Sequence, residues 1–307
     1  MSKFKSLALI LMCAAFTGLN AQTLTDGIYM PKKSYCSGFM YMHDSWNEYW
    51  EGTLKRTNLN IGTVSTDGIA YGGTYGITDK LNVSAMLPYI WTKASAGTLS
   101  GLKGFQDVTF GAKYNAFTKN MLNGIFDVNA IAAFSLPVSN YVADLLPMSI
   151  GLHSSTATGR AMIRYAHSSN LSLTAYAGYT LRNNVTIDRN TYYTDHLVYS
   201  NEVKMPDVFN YNVKLGYYSY RWAAEVFYDK TDCLGGFDIR LNDMPFLSNE
   251  MDMSRVGFMG HYRIEALSDI QVAFSVASTL TGRNVGKSTT YTFGLFKILD
   301  FANKDKK

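Results

Sequence analysis

The sequence predicts an all-β chain that closes into a transmembrane, antiparallel, up-and-down barrel of about twelve strands. Three observations carry that expectation. Apolar residues recur at every second position over long segments, the connections alternate between tight and long, and an export signal stands at the front.

The front of the chain sets the compartment. Lys3 and Lys5 precede an apolar run from Leu7 to Phe16, and the small-residue site Leu19-Asn20-Ala21 stands before Gln22. Residues 1–21 therefore read as a secretory signal peptide cut after Ala21, since the apolar run is shorter than the ~20 residues of a membrane span. No small residue of the lipoprotein kind precedes Cys13, so no lipid anchor is expected. Residues 22–33 are then expected to form an N-terminal periplasmic segment, residues 34–301 the barrel and residues 302–307 a short tail. Removing Lys3 and Lys5 takes the formal charge from +4 to +2, which leaves no basic stripe for nucleic acid. No later stretch is long and apolar enough for a helical span. Only Cys36 and Cys233 remain in the processed chain, too few for a disulfide scaffold.

Composition narrows the class. The chain holds 22 Tyr, 17 Phe and 25 Gly but 6 Pro, and its charged fraction of 17 % lies below the usual ~25 %. An exported, charge-poor chain with mean hydropathy near zero fits either a soluble β-sandwich or a membrane barrel, whose lipid-facing and lumen-facing residues cancel in the average.

Strand length separates the two. From Leu81 the residues Leu81, Val83, Ala85, Leu87, Tyr89 and Trp91 point one way, and Asn82, Ser84, Met86 and Pro88 the other. The same alternation runs through Val108–Ala116, Phe126–Leu136, Leu171–Leu181, Phe209–Tyr217, Trp222–Tyr228, Val256–Ile264 and Ile270–Val276, and through Ala157, Ala161, Ile163 and Tyr165. Soluble strands average ~5–6 residues. These alternations persist for roughly 10–13, matching the ~9–11 of a tilted membrane strand.

Taken in order, strands are expected near 34–44, 57–77, 80–92, 105–117, 123–136, 155–167, 170–183, 206–219, 221–231, 252–265, 269–281 and 289–301. Every second connection is tight, at Thr78-Asp79, Thr118 to Leu122, Ser168-Ser169, Tyr220, and Ala266 to Ser268. The others are long. Bacterial outer-membrane barrels have this layout, with short turns in the periplasm and long loops outside. Pro137, Pro147, Pro206 and Pro245 fall in or beside the long loops, where no ladder needs their missing N–H. Tyr89, Trp91, Phe134, Tyr165, Tyr179, Tyr217, Trp222 and Tyr228 sit near strand ends on the apolar row, as interfacial girdles require. The last strand closes on Phe301, although Lys297 interrupts its outer row and Ala302 to Lys307 follow it.

Two motifs carry a family resemblance. Gly76-Ile77-Thr78-Asp79-Lys80-Leu81 leads on to Leu87-Pro88-Tyr89, and Gly104-Phe105-Gln106-Asp107-Val108 precedes Gly111-Ala112-Lys113-Tyr114. Together they resemble the outer-membrane family named for the meta-pathway of phenol degradation, distantly akin to the long-chain fatty-acid transporter family. The specific part spans roughly residues 70–138. What the resemblance implies is passage of small hydrophobic or aromatic compounds. It supplies no catalytic residues and no cofactor.

The inward rows name the candidate pathway. Asp107, Lys113, Asp127, Arg160, Arg164, Lys214, Glu225, Asp229, Arg255, His261, Arg263 and Glu265 carry lumen parity, with Tyr176, Tyr218, Phe227, Met86, Met162 and Met259 softening the polarity. In a narrow lumen such mixed charges pair with one another, forming either a selective constriction or a packed, closed interior. Small-molecule solute and outer-membrane lipid are the expected partners; oligomeric state is left open.

His167-Ser168-Ser169-Asn170 resembles the His-x-Ser-Asn core of outer-membrane phospholipase and lipid A deacylase barrels, where His activates Ser. Leu171 stands where the phospholipase core has Gly, the downstream Arg-Ser-x-Asn partner is missing, and the tetrad falls in a periplasmic turn, so a polar turn is expected. A lipid hydrolase at His167 and Ser169 is nonetheless one alternative to a channel; a structural or partner-docking barrel is another. The histidines at 43, 153, 167, 196 and 261 show no metal spacing. Cys36 and Cys233 are expected at opposite ends of the barrel, ~25 Å apart, too far for a bond that tolerates ~7 Å between Cα atoms. The loop from Asn184 to Lys204 carries Asp188, Arg189, Tyr192, Tyr193, Asp195, His196 and Tyr199, which suit a ligand-binding lid or a merely solvated loop.

Overall fold

Twelve long strands follow one another around a ring in the computed structural model, which describes residues 24–241, 243–265 and 270–301. They are β1 (Ser34–Trp46), β2 (Val64–Thr78), β3 (Leu81–Ala94), β4 (Asp107–Met121), β5 (Gly124–Pro137), β6 (Thr156–His167), β7 (Leu171–Arg182), β8 (Val208–Tyr218), β9 (Trp222–Cys233), β10 (Asp252–Ile264), β11 (Ile270–Arg283) and β12 (Thr289–Asp300). Each pairs antiparallel with its neighbours, and β12 returns to β1 in a register running from Ser34↔Asp300 to Ser45↔Thr289. Closure leaves no unpaired edge, a requirement for any sheet immersed in hydrocarbon. The expected signal segment 1–21, the expected turn 266–268 and the expected tail 302–307 lie outside the described residues.

Alternation explains which way each strand faces. Phe110, Leu173, Leu215, Val226 and Leu295 are exposed on the outside, while Asn82, Lys113, Asn129, Thr174 and Glu225 are buried inside. In a soluble protein that inversion would be ruinous; here lipid is the outer solvent.

Three local departures from the expected strands have physical causes. The second strand starts at Val64 rather than near residue 57, because Leu54–Thr57 instead pairs with Glu48–Glu51 in a separate extracellular hairpin. A bulge between Asn115 and Phe117 lets β4 run to Met121, beyond the expected end near residue 117, and turns Thr118 inward to donate to Asp127 at 2.7 Å. The tight turn after it is Leu122-Asn123, both with positive φ. Pro88 has no N–H to give, and β3 passes there from β4 to the short strand Lys103–Phe105, with Gln106 N donating to Pro88 O at 3.0 Å.

The long loops fold over the outer mouth. Val185, Ile187, Val203, Met205, Phe246 and Leu247 form a small apolar core of their own. Asn284, at φ 55°, clamps three loops: its Oδ1 accepts from Gly52 N (2.8 Å) and Ile239 N (2.9 Å), and its Nδ2 donates to Asp238 Oδ1 and Glu250 O. Arg283 grips Asp238 from the other side at 2.7 and 2.9 Å and holds that carboxyl below the usual carboxylate range. Asn284→Ala strands two buried N–H donors, each worth about 1–3 kcal/mol. We expect limited proteolysis to cut the loops of that variant while the barrel core stays resistant. Because the Asp238 pKa is depressed on folding, the same clamp holds at neutral pH and is lost as pH falls below the free carboxylate value of ~3.9. The proteolysis profile of the parent at low pH is expected to approach that of the variant.

Candidate functional site

The stretch expected to hang below the barrel runs up into it. Pro31–Lys33 joins the base of β1, where Lys33 N donates to Gly76 O and Lys32 N to the carboxylate of Asp79 in the β2–β3 turn. From there the chain, followed back toward its start, enters the lumen as a strap from Met30 to Leu24. Two glycines make room. A Cβ on Gly76 would stand 2.1 Å from Pro31 O, and one on Gly27 would stand 2.2 Å from Arg164 Cδ.

Lys113 explains why the strap goes in. Its side chain is 1 % exposed, pointing from β4 into the lumen. A buried ammonium needs an opposite charge and acceptors for its three hydrogens. The strap supplies Asp26 Oδ1 at 2.9 Å, Asp26 O at 3.0 Å and Ile28 O at 2.7 Å, while the Tyr29 ring lies 4.8 Å from the ammonium. Tyr29 OH donates to Asn129 Oδ1 (2.8 Å), and Arg164 donates to Gly27 O (3.1 Å). At the tip, Leu24 packs on Ile131, Met162 and Tyr176.

Most of the predicted lumen residues fall into two belts, with three outliers at the rims. In the lower belt Lys113, Arg164 and Lys214 face Asp26, Asp127 and Glu225; Asp127 also accepts from Asn115, and Glu225 from the Tyr218 hydroxyl. In the belt above, Arg160 lies 5.6 Å over the Tyr176 ring, Arg255 pairs with Asp229 at 2.7 Å, and Phe227 fills the space left by Gly257. Asp107 sits apart at the outer rim, bonded by Tyr141 OH of the loop above (2.7 Å). Arg263 sits near the periplasmic rim against Tyr220, and Glu265 pairs there with Arg221.

The strap divides what space remains. On one side lies a chamber of about 330 Å³ lined by Leu24 and Thr25 of the strap with Met40, Met86, Met259, Phe296, Cys36 and His261. On the other side, toward the periplasm, a cavity of about 480 Å³ is bounded by Gly27, Ile28, Tyr29 and Pro31 and faced by Asp127, Arg164, Ser172 and Tyr218. Sequence reading missed the strap and with it Asp26, the partner of Lys113. The available signal was Asp26-Gly27, an acid beside a glycine just past the expected export signal. Met40 and Cys36 were missed as wall residues because strand 1 has the weakest alternation.

His167 Nδ1 and Ser169 Oγ do meet, at 2.8 Å, but within one exposed turn; the same ring nitrogen also accepts from Ser169 N. The described residues contain no group of His, Cys, Asp and Glu able to hold a metal. Cys36 and Cys233 are both buried and are not bonded to each other.

A closed twelve-strand barrel with an apolar exterior and a polar interior is an outer-membrane β-barrel protein of bacteria. Residues 56–293 match the family described as "Putative MetA-pathway of phenol degradation", and the chain belongs to that family. Among solved structures it is similar to the COG4313 outer membrane channel from Pseudomonas putida F1, with 13 % identity over 88 % of this chain and 97 % of that one and a TM-score of 0.72. It also aligns with the translocator domain of the autotransporter NalP from Neisseria meningitidis (8 % identity, 96 % and 94 % covered, TM-score 0.45). A third alignment is with the TodX deltaS2S3 mutant monoaromatic hydrocarbon channel (9 %, 92 % and 93 %, 0.44). No curated protein sequence matches significantly.

Removing one partner of a buried pair costs about 3–5 kcal/mol, because the other charge is left uncompensated. Lys113→Ala leaves Asp26 in that position, so the strap is expected to leave the lumen. Chymotrypsin would then cut after Tyr29 in the folded variant and spare the parent, as read by intact mass.

Proposed function

We propose that this chain passes small hydrophobic or aromatic molecules across the outer membrane, with the methionine-walled chamber as their resting place and the strap as the closure toward the periplasm. The carrying observation is that the two chambers lie against successive parts of one strap: one touches Leu24 and Thr25, the other Gly27 to Tyr29. A solute moving through must shift that strap. Met40, Met86 and Met259 suit the role, since thioethers adapt to irregular apolar guests and make favourable contacts with aromatic rings. Family membership and the channel fold of the Pseudomonas putida protein support the same reading. Cleavage after Ala21, which we also propose, leaves Gln22 and Thr23 ahead of Leu24 at the strap's tip.

The hydrolase reading is disfavoured by geometry. Among the described residues His167 has no carboxylate partner orienting it, and both the half-buried His167 and the exposed Ser169 lie at the periplasmic end, away from outer-leaflet lipid.

Proteoliposomes test the proposal. Replacing residues 24–30 by a Gly-Ser linker is expected to raise the flux of small solutes at least tenfold. Met86→Arg, which puts a charge into the apolar chamber, is expected to depress the flux of a neutral aromatic at least tenfold. Equal fluxes in parent and both variants would contradict it.

A further inference from the structure

The extracellular loops hold a further cavity, separate from the two lumen chambers. It measures about 350 Å³, within the lower end of the usual ~300–1,000 Å³ of small-molecule sites and large enough for a single ring compound. Its floor is apolar, and aromatic walls come from two different loops: Tyr192 and Tyr193 from one, Phe237 and Phe246 from the other. Tyr192 stacks on Phe246 with ring centroids 5.3 Å apart, and the loop core beneath fixes both.

Two guanidinium groups stand at the cavity on these rings. Arg240 lies 3.9 Å over Tyr193, and Arg189 lies 5.2 Å over Phe246. Each also reaches a carboxylate: Arg240 Nε to Asp243 at 2.9 Å, and Arg189 to Asp144 at 3.2 Å. The Arg240–Asp243 pair is half-exposed on both sides. Such pairs are worth about 0–1 kcal/mol, so an incoming anion displaces the carboxylate at little cost. Ring stacking, in contrast, keeps the guanidinium plane in place and its fork of donors preorganised. Asp144 and Asp243 line the cavity too, so its formal charge is zero, and the preference for an anion rests on the rings holding the guanidiniums in place while the half-exposed Asp243 is free to turn away.

We infer that this cavity is an extracellular capture site for small aromatic acids, its rings receiving the ligand ring and Arg189 and Arg240 its carboxylate. The inference rests on the proposed passage of small aromatic molecules and adds the place where an ionised one is first held.

Benzoate is the probe, titrated by ligand-detected NMR against the full chain folded in detergent. Benzyl alcohol, neutral but aromatic, and cyclohexanecarboxylate, charged but not aromatic, are the comparisons. Saturable benzoate binding is expected, with both comparison compounds at least tenfold weaker. An Arg189→Gln/Arg240→Gln double variant should weaken benzoate at least tenfold while keeping the heat-modifiable gel migration of a folded barrel. Tyr193→Ala, which removes the ring and keeps the charge, should also weaken it. No saturable binding to the parent, equal binding of benzyl alcohol, or unchanged affinity in the double variant would each overturn the inference. Binding is measured without transport, so a parent that binds benzoate yet carries no solute refutes the passage reading alone. A parent that carries solute but fails the titration refutes the capture site alone.

Discussion

A lysine buried inside a narrow barrel has to be answered by something, and Lys113 organises the lumen through that need. Its own wall supplies Asp127 across the next hairpin, but Asp127 is already engaged by Asn115, Thr118 and Arg164. The missing anion comes from Asp26, on a segment that precedes the first strand. Ordering the strap costs roughly 1–2 kcal/mol per residue, in sum more than the about 3–5 kcal/mol at stake in the ion pair, so the pair acts together with the Tyr29–Asn129 and Arg164–Gly27 hydrogen bonds and the packing of Leu24. The Lys113–Asp26 pair thus fixes the register in which the strap lies in the lumen.

The barrel wall makes this possible and also limits it. Twelve strands enclose an interior that side chains alone nearly fill, so a strap of single-chain thickness suffices to split it. Gly27 and Gly76 mark where the strap passes closest to its surroundings, and no side chain larger than hydrogen fits at either place without a shift. What is left is asymmetric: an apolar, methionine-rich pocket on one side and a charged vestibule on the other. The loops outside have their own apolar core and are tied by Asn284 and Arg283, so the outer mouth is roofed by ordered structure.

Much of this fold was legible in the sequence because period-two patterning is strong wherever lipid lies on one side and water or polar side chains on the other. The rows around Leu81, Leu171 and Leu215 face lipid as their alternation requires, and the alternation of turns and loops orients the barrel. Less was legible at strand 2, where residues 54–57 carry no pattern that distinguishes a barrel strand from a loop hairpin. Of the lumen, parity identified Lys113, Asp127, Arg164, Lys214 and Glu225 as inward but not their partners, since register and depth depend on bulges such as that at Asn115. The strap was illegible for a different reason. Leu24-Thr25-Asp26-Gly27 has no periodicity, and its conformation is fixed by distant residues rather than by its own propensities.

Closure of the pathway by the strap is tested most directly by a reversible lock. Leu24 lies against Gly111 of β4, a Cβ there standing 2.4 Å from Leu24 Cδ1. Leu24→Cys with Gly111→Cys, in a chain with Cys36→Ser and Cys233→Ser, allows a disulfide between strap and wall. Flux of a neutral aromatic into proteoliposomes should fall at least tenfold on oxidation and return on reduction. Equal flux in the oxidised and reduced states, with the disulfide confirmed by mass, would contradict it.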